Sequence, residues 1–198
     1  MSRLPCAIIL AAGQGRRFRQ AAGADRDKLL APCRGRDGLL RPVLEQVLMN
    51  VPAELVRRVL VTTPDRPQVA DLARTHGCEV QLLDSAGMGH SLAAAVAACA
   101  DADGWVVWLG DMPFILPATA RRVIEALTEQ SICVPRLGAE LGHPVGFGRS
   151  YGPALQGLSG DRGARLLFAS GQVIEVPVTD SGVTWDVDLP EALIYRDC

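Results

Sequence analysis

The sequence predicts an α/β protein built on a mostly parallel central sheet, and three observations lead there. Two apolar runs, Ala7–Leu10 and Gly104–Leu109, lack the polar alternation of a half-exposed strand and read as strands buried on both faces. Strand-like and helix-like segments alternate over the first two-thirds of the chain, which implies right-handed βαβ units. The strands end at Gly13, Thr62–Pro64, Gly89 and Asp111, so these loops are expected on one face, beyond the carboxyl ends where such sheets collect ligands.

The elements follow in order. After the first strand and its glycine loop, Leu39–Met49 has the spacing of an amphipathic helix. Arg57–Thr63 reads as the second strand, Pro67–His76 as a helix closed by Gly77, and Glu79–Leu83 as a short third strand. A second glycine-bearing loop, 86–91, leads into the alanine-rich helix Leu92–Ala100. Pro117–Gln130 is expected to be helical, with Pro near the first turn and an apolar stripe through Ala120, Val123, Ile124 and Leu127. The last third is less regular. Ile132–Pro135, Val145–Phe147 and Val173–Val176 read as strands, 161–169 as a helix, and Trp185–Pro190, with its β-like run Asp186-Val187-Asp188, as the lead into a terminal helix. A mixed sheet edge and a lid over a second substrate are expected there.

The chain has 198 residues, which suits one domain over 1–198 with a large core. The formal charge of −2 argues against broad binding to nucleic acid or anionic membrane, so any anion site must be a local cluster of cations. No run approaches the roughly 18 apolar residues of a membrane span, and the short apolar start lacks the form of a secretory signal. The six scattered cysteines have no metal-finger spacing and read as reduced, mostly buried hydrophobes of a cytoplasmic protein.

The chemistry concentrates in Cys6–Leu30. Leu10-Ala11-Ala12-Gly13-Gln14-Gly15 is followed by Arg16-Arg17 and later by Lys28. Glycines admit backbone N–H groups close to an anion, and neighbouring cations neutralise it. Phe18 stands where a dinucleotide fingerprint needs its third glycine, and no G-K-[ST] follows, so this is a phosphate loop of another kind or a structural turn. Lys28 is the single lysine beside nineteen arginines. A compact ammonium differs from a guanidinium fork, and the exception suggests a site that wants a point charge.

Asp111 sits just past a buried strand, where it is either a Mg²⁺ ligand or the cap of the following turn. Asp186 and Asp188, spaced i,i+2, share a face if the run is extended, and either supply a further carboxylate or cap the final segment. His143 lacks the partners of a metal site and reads first as structural. Arg162 and Arg165 either clamp a second anion or form a solvated face. No Ser/His/Asp or Cys/His arrangement is evident, so positioning and charge neutralisation remain, as phosphoryl and nucleotidyl transfer require.

The run Leu10–Phe18 with Lys28-Leu29-Leu30 resembles the signature of nucleotidyltransferases with the three-layer, Rossmann-like nucleotide-diphospho-sugar-transferase fold. Gly110-Asp111-Met112-Pro113, Ser91-Leu92, Gly142-His143-Pro144-Val145, the run 160–165 (GDRGAR) and Asp186–Glu191 are similar to the MobA-like branch that includes molybdenum cofactor cytidylyltransferases. The resemblance implies transfer of CMP from CTP, with Mg²⁺, to the terminal phosphate of molybdopterin, releasing pyrophosphate. It implies that Leu10–Gly15 and Arg17 hold the triphosphate and that Lys28 stabilises charge developing at the α-phosphate. Asp111 and Asp188 would carry Mg²⁺, with Asp186 the weaker candidate. Thr62, Gly89 and Ser91 would face the nucleotide, and His143 the acceptor. A molybdoenzyme or its chaperone is the expected recipient of the product. Arg19 replaces a usual glycine, Gln20–Asp27 forms an insertion expected to be mobile without ligand, and Leu189 replaces a usual threonine. The rivals are a guanylyl- or sugar-phosphate nucleotidyltransferase, and a non-catalytic cofactor carrier. A carrier has no need of a transition-state cation together with a metal ligand.

Overall fold

The computed structural model describes residues 5–84, 87–161 and 163–196. Strand β1 (Cys6–Leu10) lies in the middle of the main sheet, with β4 (Arg58–Thr62) and β6 (Gly104–Leu109) parallel to it on either side. β5 (Glu79–Leu82) extends the sheet beyond β4. On the other flank, β9 (Val145–Gly148) runs antiparallel to both β6 and β7 (Ser131–Leu137). β10 (Gln172–Pro177) returns parallel to β7, and the two-residue β8 (Glu140–Leu141) pairs with β7. The order β10-β7-β9-β6-β1-β4-β5 is a mostly parallel sheet with a mixed edge.

Successive side chains of β1 point to opposite faces of the sheet, and both faces are buried. Ala7 and Ile9 pack with Leu60, Val106 and Trp108 under α2 (Val43–Asn50), α3 (Pro67–Thr75) and α5 (Pro117–Ala126). Cys6 and Ile8 pack with Val59, Val61 and Trp105 under α4 (Met88–Ala98) and the short α6 (Gly152–Gln156). Helices therefore cover both faces, giving three layers. Cys6, Cys33, Cys78, Cys99 and Cys133 are buried and free, as expected.

Several boundaries depart from the sequence reading, each for a local reason. Residues 16–22, read as loop, form the short helix α1 (Arg16–Ala22) after Gly15, whose φ of 59° is left-handed; the insertion therefore begins as a helical turn. Leu39–Met49 is not one helix. Leu40–Pro42 is a strand, β3, in a hairpin with β2 (Pro32–Arg34), and Pro42 precedes the helix as its N-cap residue. α4 starts at Met88 instead of Leu92, so Gly89 and Ser91 are helical. α5 stops at Ala126, where Leu127 turns extended and the Ser131 hydroxyl captures the Thr128 N–H at 2.9 Å. The segments 163–169 and Pro190–Leu193 are 3-10 turns instead of α-helices. Trp185–Leu189 is not a strand: the Val187 N–H donates to the Asp111 carbonyl, and its side chain is fully buried beside Phe18, Cys33, Val43 and Phe114.

Truncating Ile8, fully buried at the sheet centre, removes methylenes that the layers cannot refill. Ile8→Ala is expected to cost about 2–5 kcal/mol, read as a lower urea midpoint with an unchanged slope.

Candidate active site

The expected site residues meet at the carboxyl end of β1. Ala11 continues the strand for one residue, its N–H bonding to the Val61 carbonyl, before the chain opens at Gly13. The Ala11 carbonyl is held from behind by the Thr62 hydroxyl and the Arg66 guanidinium, both at 3.3 Å. Arg66 also pairs with Asp27 at 3.4 Å. The other Asp27 oxygen accepts from the Leu29 N–H and so caps the 3-10 turn Lys28–Leu30. Arg66 and Asp27 thus fix the turn that presents Lys28, whose stem crosses Gly15 at 3.4 Å from where a Cβ would stand.

Lys28 is only 8% exposed. Its Nζ lies 2.5 Å from Asp111 Oδ2 and 3.4 Å from Asp188 Oδ1. Arg17 Nη1 reaches the other Asp188 oxygen at 2.8 Å. The four side chains form a row of alternating charge, Arg17–Asp188–Lys28–Asp111. The two ends differ in strength. The Arg17 side chain is 79% exposed, so its pair is screened by water and easily given up. The Lys28–Asp111 pair is shielded, and removing either partner would strand a charge in a poorly solvated place.

Two clefts open beside this row. The first, of about 660 Å³, is floored by Leu10–Gly15 and by Leu109, and walled by Lys28, Asp111 and the start of α4. Gly87, Met88 and Ser91 line it, and so does Asp161. The second, of about 640 Å³, shares Leu109 and is bordered by His143, Glu140, Arg165, Thr184 and Asp186. Burial pushes the His143 imidazole down to about 4 from 6.5, against the opposing pull of the Asp111 carboxylate, so it is neutral at physiological pH. Burial also raises the Asp186 carboxyl, reinforced by Asp188 and Asp111.

The structure brings Lys28, Arg17, Asp111 and Asp188 into one row and Leu10–Gly15 and Ser91 onto one cleft. Asp186 and His143 lie on the neighbouring cleft. Two expectations change. Thr62 is fully buried behind the floor and acts on Ala11, not on the cleft. Gly89 is also set back: its N–H donates to the Gly160 carbonyl at 2.8 Å, and a Cβ there would press on Ser159 and Gly160. Arg162 and the first residue of the 86–91 loop lie outside the described residues. Leu109, Arg66 and Asp161 were not singled out by sequence reasoning. Asp161 had a signal, its place in the GDRGAR run; Arg66 had none in a chain with nineteen arginines.

The donor set fits Mg²⁺. Asp111 and Asp188 offer hard carboxylate oxygens that already converge on one cation, the Lys28 ammonium. Among the described residues no cluster of three or more His, Cys, Asp or Glu could cage a metal. One or two protein carboxylates, completed by phosphates and water, is how Mg²⁺ rides on a nucleotide.

A glycine floor, a shielded ammonium and paired acids beside a roomy cleft can neutralise a polyphosphate while leaving its reacting phosphorus open, and the α/β sheet carrying them belongs to a nucleotidyltransferase. Residues 7–175 match the MobA-like NTP transferase domain, and the chain belongs to that family. It is 30% identical over 197 residues to the purine catabolism protein PucB of Bacillus subtilis, covering 93% of this chain and 91% of that one. It is 38% identical over 152 residues to the bifunctional protein GlmU of Maricaulis maris, where it spans only 31% of the relative's length. The crystal structure of Rv0371c from Mycobacterium tuberculosis superposes with a TM-score of 0.78 at 29% identity, over 96% of this chain and 95% of that one. A complex of Rv0371c with manganese superposes at 0.75. No described helix is long and apolar enough to cross a membrane.

The lowered His143 value makes stability pH-dependent. Between about pH 6.5 and 4 the unfolded chain binds a proton that the folded chain refuses, so stability falls as pH drops through that window. The urea midpoint of the wild-type chain is expected to fall more steeply from pH 6.5 to 4 than that of His143→Gln. Parallel slopes would show that His143 does not titrate differently on folding.

Proposed function

We propose that this chain is a Mg²⁺-dependent cytidylyltransferase that moves CMP from CTP to the terminal phosphate of molybdopterin. An acceptor phosphate oxygen forms a bond to the α-phosphorus of CTP, the α–β phosphoanhydride bond breaks, and pyrophosphate leaves. The observation that carries the reading is Lys28 held between Asp111 and Asp188 over the glycine floor.

The row of alternating charge is a site that neutralises itself until substrate arrives. A bound triphosphate would exchange these partners: its phosphates take Lys28 and Arg17, and the freed carboxylates of Asp111 and Asp188 would hold Mg²⁺. Bound Mg²⁺ supplies charge neutralisation and polarises the phosphates. Backbone N–H groups of Ala12–Gly15 and the exposed guanidinium of Arg17 cradle the β- and γ-phosphates. The Lys28 ammonium faces the α-phosphate, where it opposes charge that develops in the transition state. Ser91, at the start of α4, lines the nucleotide side, and neutral His143 borders the second cleft, which has the size for an acceptor. Arg165 on the same cleft suits the acceptor's phosphate.

PucB, matched nearly end to end and named for purine catabolism, keeps a second reading in view: the same transfer to a different acceptor. GlmU matches over a smaller part of its length, which supports the nucleotide half of the reading more than the acceptor half.

Pyrophosphate release measured with CTP, GTP and ATP, each with molybdopterin or a sugar phosphate, decides between these. CTP with molybdopterin is expected to be the productive pair, and release with another pair alone would replace the reading. In thermal shift, CTP is expected to stabilise the chain only when Mg²⁺ is present, as partner exchange requires. Lys28→Ala is expected to lower kcat by about 10²–10³ while KM for CTP changes little, because the ammonium acts chiefly in the transition state. The same variant leaves Asp111 without its cation and Asp188 with Arg17 alone, so free Mn²⁺ is expected to bind it more tightly than it binds wild type in calorimetry.

A further inference from the structure

We propose that Asp180, together with Arg36, is a positioning residue that sets the separation of the carboxylates Asp111 and Asp188; the inference rests on the metal–nucleotide reading above. Neither residue lines either cleft.

Asp180 is only 4% exposed, and its carboxylate accepts four hydrogen bonds. Oδ2 takes the Leu116 N–H at 2.9 Å and the Thr119 hydroxyl at 2.8 Å, both at the start of α5. Oδ1 takes the Gly182 N–H at 3.1 Å and Arg36 Nη1 at 2.6 Å. One carboxylate therefore grips two chain segments, and each carries a ligand carboxylate. Asp111 lies just before Leu116, and Asp188 shortly after Gly182.

The coupling between them is stiff. A Cβ on Gly182 would collide with the Phe114 carbonyl, so the two segments touch backbone to backbone. Val187 N–H donates to the Asp111 carbonyl at 2.9 Å, which joins them again next to the acids themselves. The Val183 carbonyl accepts from the His143 N–H at 2.9 Å, so the same turn also shapes the second cleft. Arg36 completes the clamp from the β2–β3 hairpin: it also donates to the Phe114 carbonyl at 3.3 Å, and its guanidinium lies 4.6 Å from the centre of the Tyr195 ring.

A carboxylate and a guanidinium taken out of water contribute little net stability compared with apolar residues of the same volume, so their value here lies in geometry. Mg²⁺ demands oxygen ligands at about 2.0–2.1 Å in a near-ideal octahedron, which leaves little tolerance in where two carboxylates stand. Asparagine at 180 would offer one acceptor oxygen where two are used, releasing one side of the clamp.

The test uses the full chain saturated with CTP and Mn²⁺ as the probe, with free Mn²⁺ followed by its paramagnetic resonance and turnover followed separately. Asp180→Asn and Arg36→Ala are expected to weaken Mn²⁺ binding by about 10- to 100-fold, as loss of a residue that orients a ligand does, with KM for CTP nearly unchanged and kcat lowered. Arg36→Lys is expected to recover most of the Mn²⁺ affinity. A purely structural role would instead lower the melting temperature and leave the Mn²⁺ affinity of the folded protein as in wild type, and that result overturns the proposal. If Asp180→Asn does not fold, the Arg36 pair decides it. Asp111→Asn separates the two levels: lost Mn²⁺ affinity there with wild-type affinity in Arg36→Ala overturns the positioning alone, whereas wild-type affinity in Asp111→Asn overturns the metal–nucleotide reading and the proposal together.

Discussion

The shielded ammonium of Lys28 is the interaction on which the rest of this structure depends. A charge that is nine-tenths buried persists only where opposite charge meets it, and the two carboxylates that do so come from residues 111 and 188. Three stretches of chain must therefore arrive at one point. The sheet solves this by placing β1 and β6 side by side in parallel register, Leu10 opposite Leu109, so that the chain emerging from each opens at the same edge. The third stretch cannot arrive through the sheet, because β10 lies at its far side. It returns instead along the surface of the 111–116 segment, held there by backbone contacts and by the buried carboxylate of Asp180.

This division of labour explains why the site is stiff on one side and open on the other. Behind the glycine floor, Thr62 and Arg66 fix the Ala11 carbonyl, and Asp27 locks the turn that bears Lys28. In front, Arg17 and Gln14 stand in solvent, where their charge and polarity are available to a ligand. A floor that cannot move and cations that can are what nucleotidyl transfer asks of a protein, since its catalysis is mostly orientation and electrostatics arranged in advance. Family membership and the nucleotidyltransferase class agree with that arrangement.

Local pattern carried much of this. The doubly buried runs of β1 and β6 were visible because both faces of a central strand select apolar side chains, and the lone lysine stood out against nineteen arginines. Where local reading failed, tertiary contacts had overruled it. Leu40–Pro42 lies in a stretch of helical spacing but pairs with Pro32–Arg34, because a hairpin there satisfies backbone groups next to a proline that cannot donate. Trp185–Leu189 has strand-like alternation, yet it lies against Asp111 and buries Val187 in place of a sheet neighbour. Thr62 and Gly89 stand at the expected strand and helix ends, but both face inward, and no spacing rule tells which side of a loop a side chain takes.

Taken alone, the sequence determined the layered α/β class, the glycine loop, and the identity of the cation and the acids, because strand periodicity, turn chemistry and residue type are local properties of a chain. Only the tertiary structure decided that Asp188 rather than Asp186 meets Lys28, that His143 stays neutral, and that Arg36 pairs with the buried Asp180 and Arg66 with Asp27. Those facts depend on which groups are desolvated together and at what distance, and desolvation and Coulomb attraction act through space between residues that the sequence sets far apart.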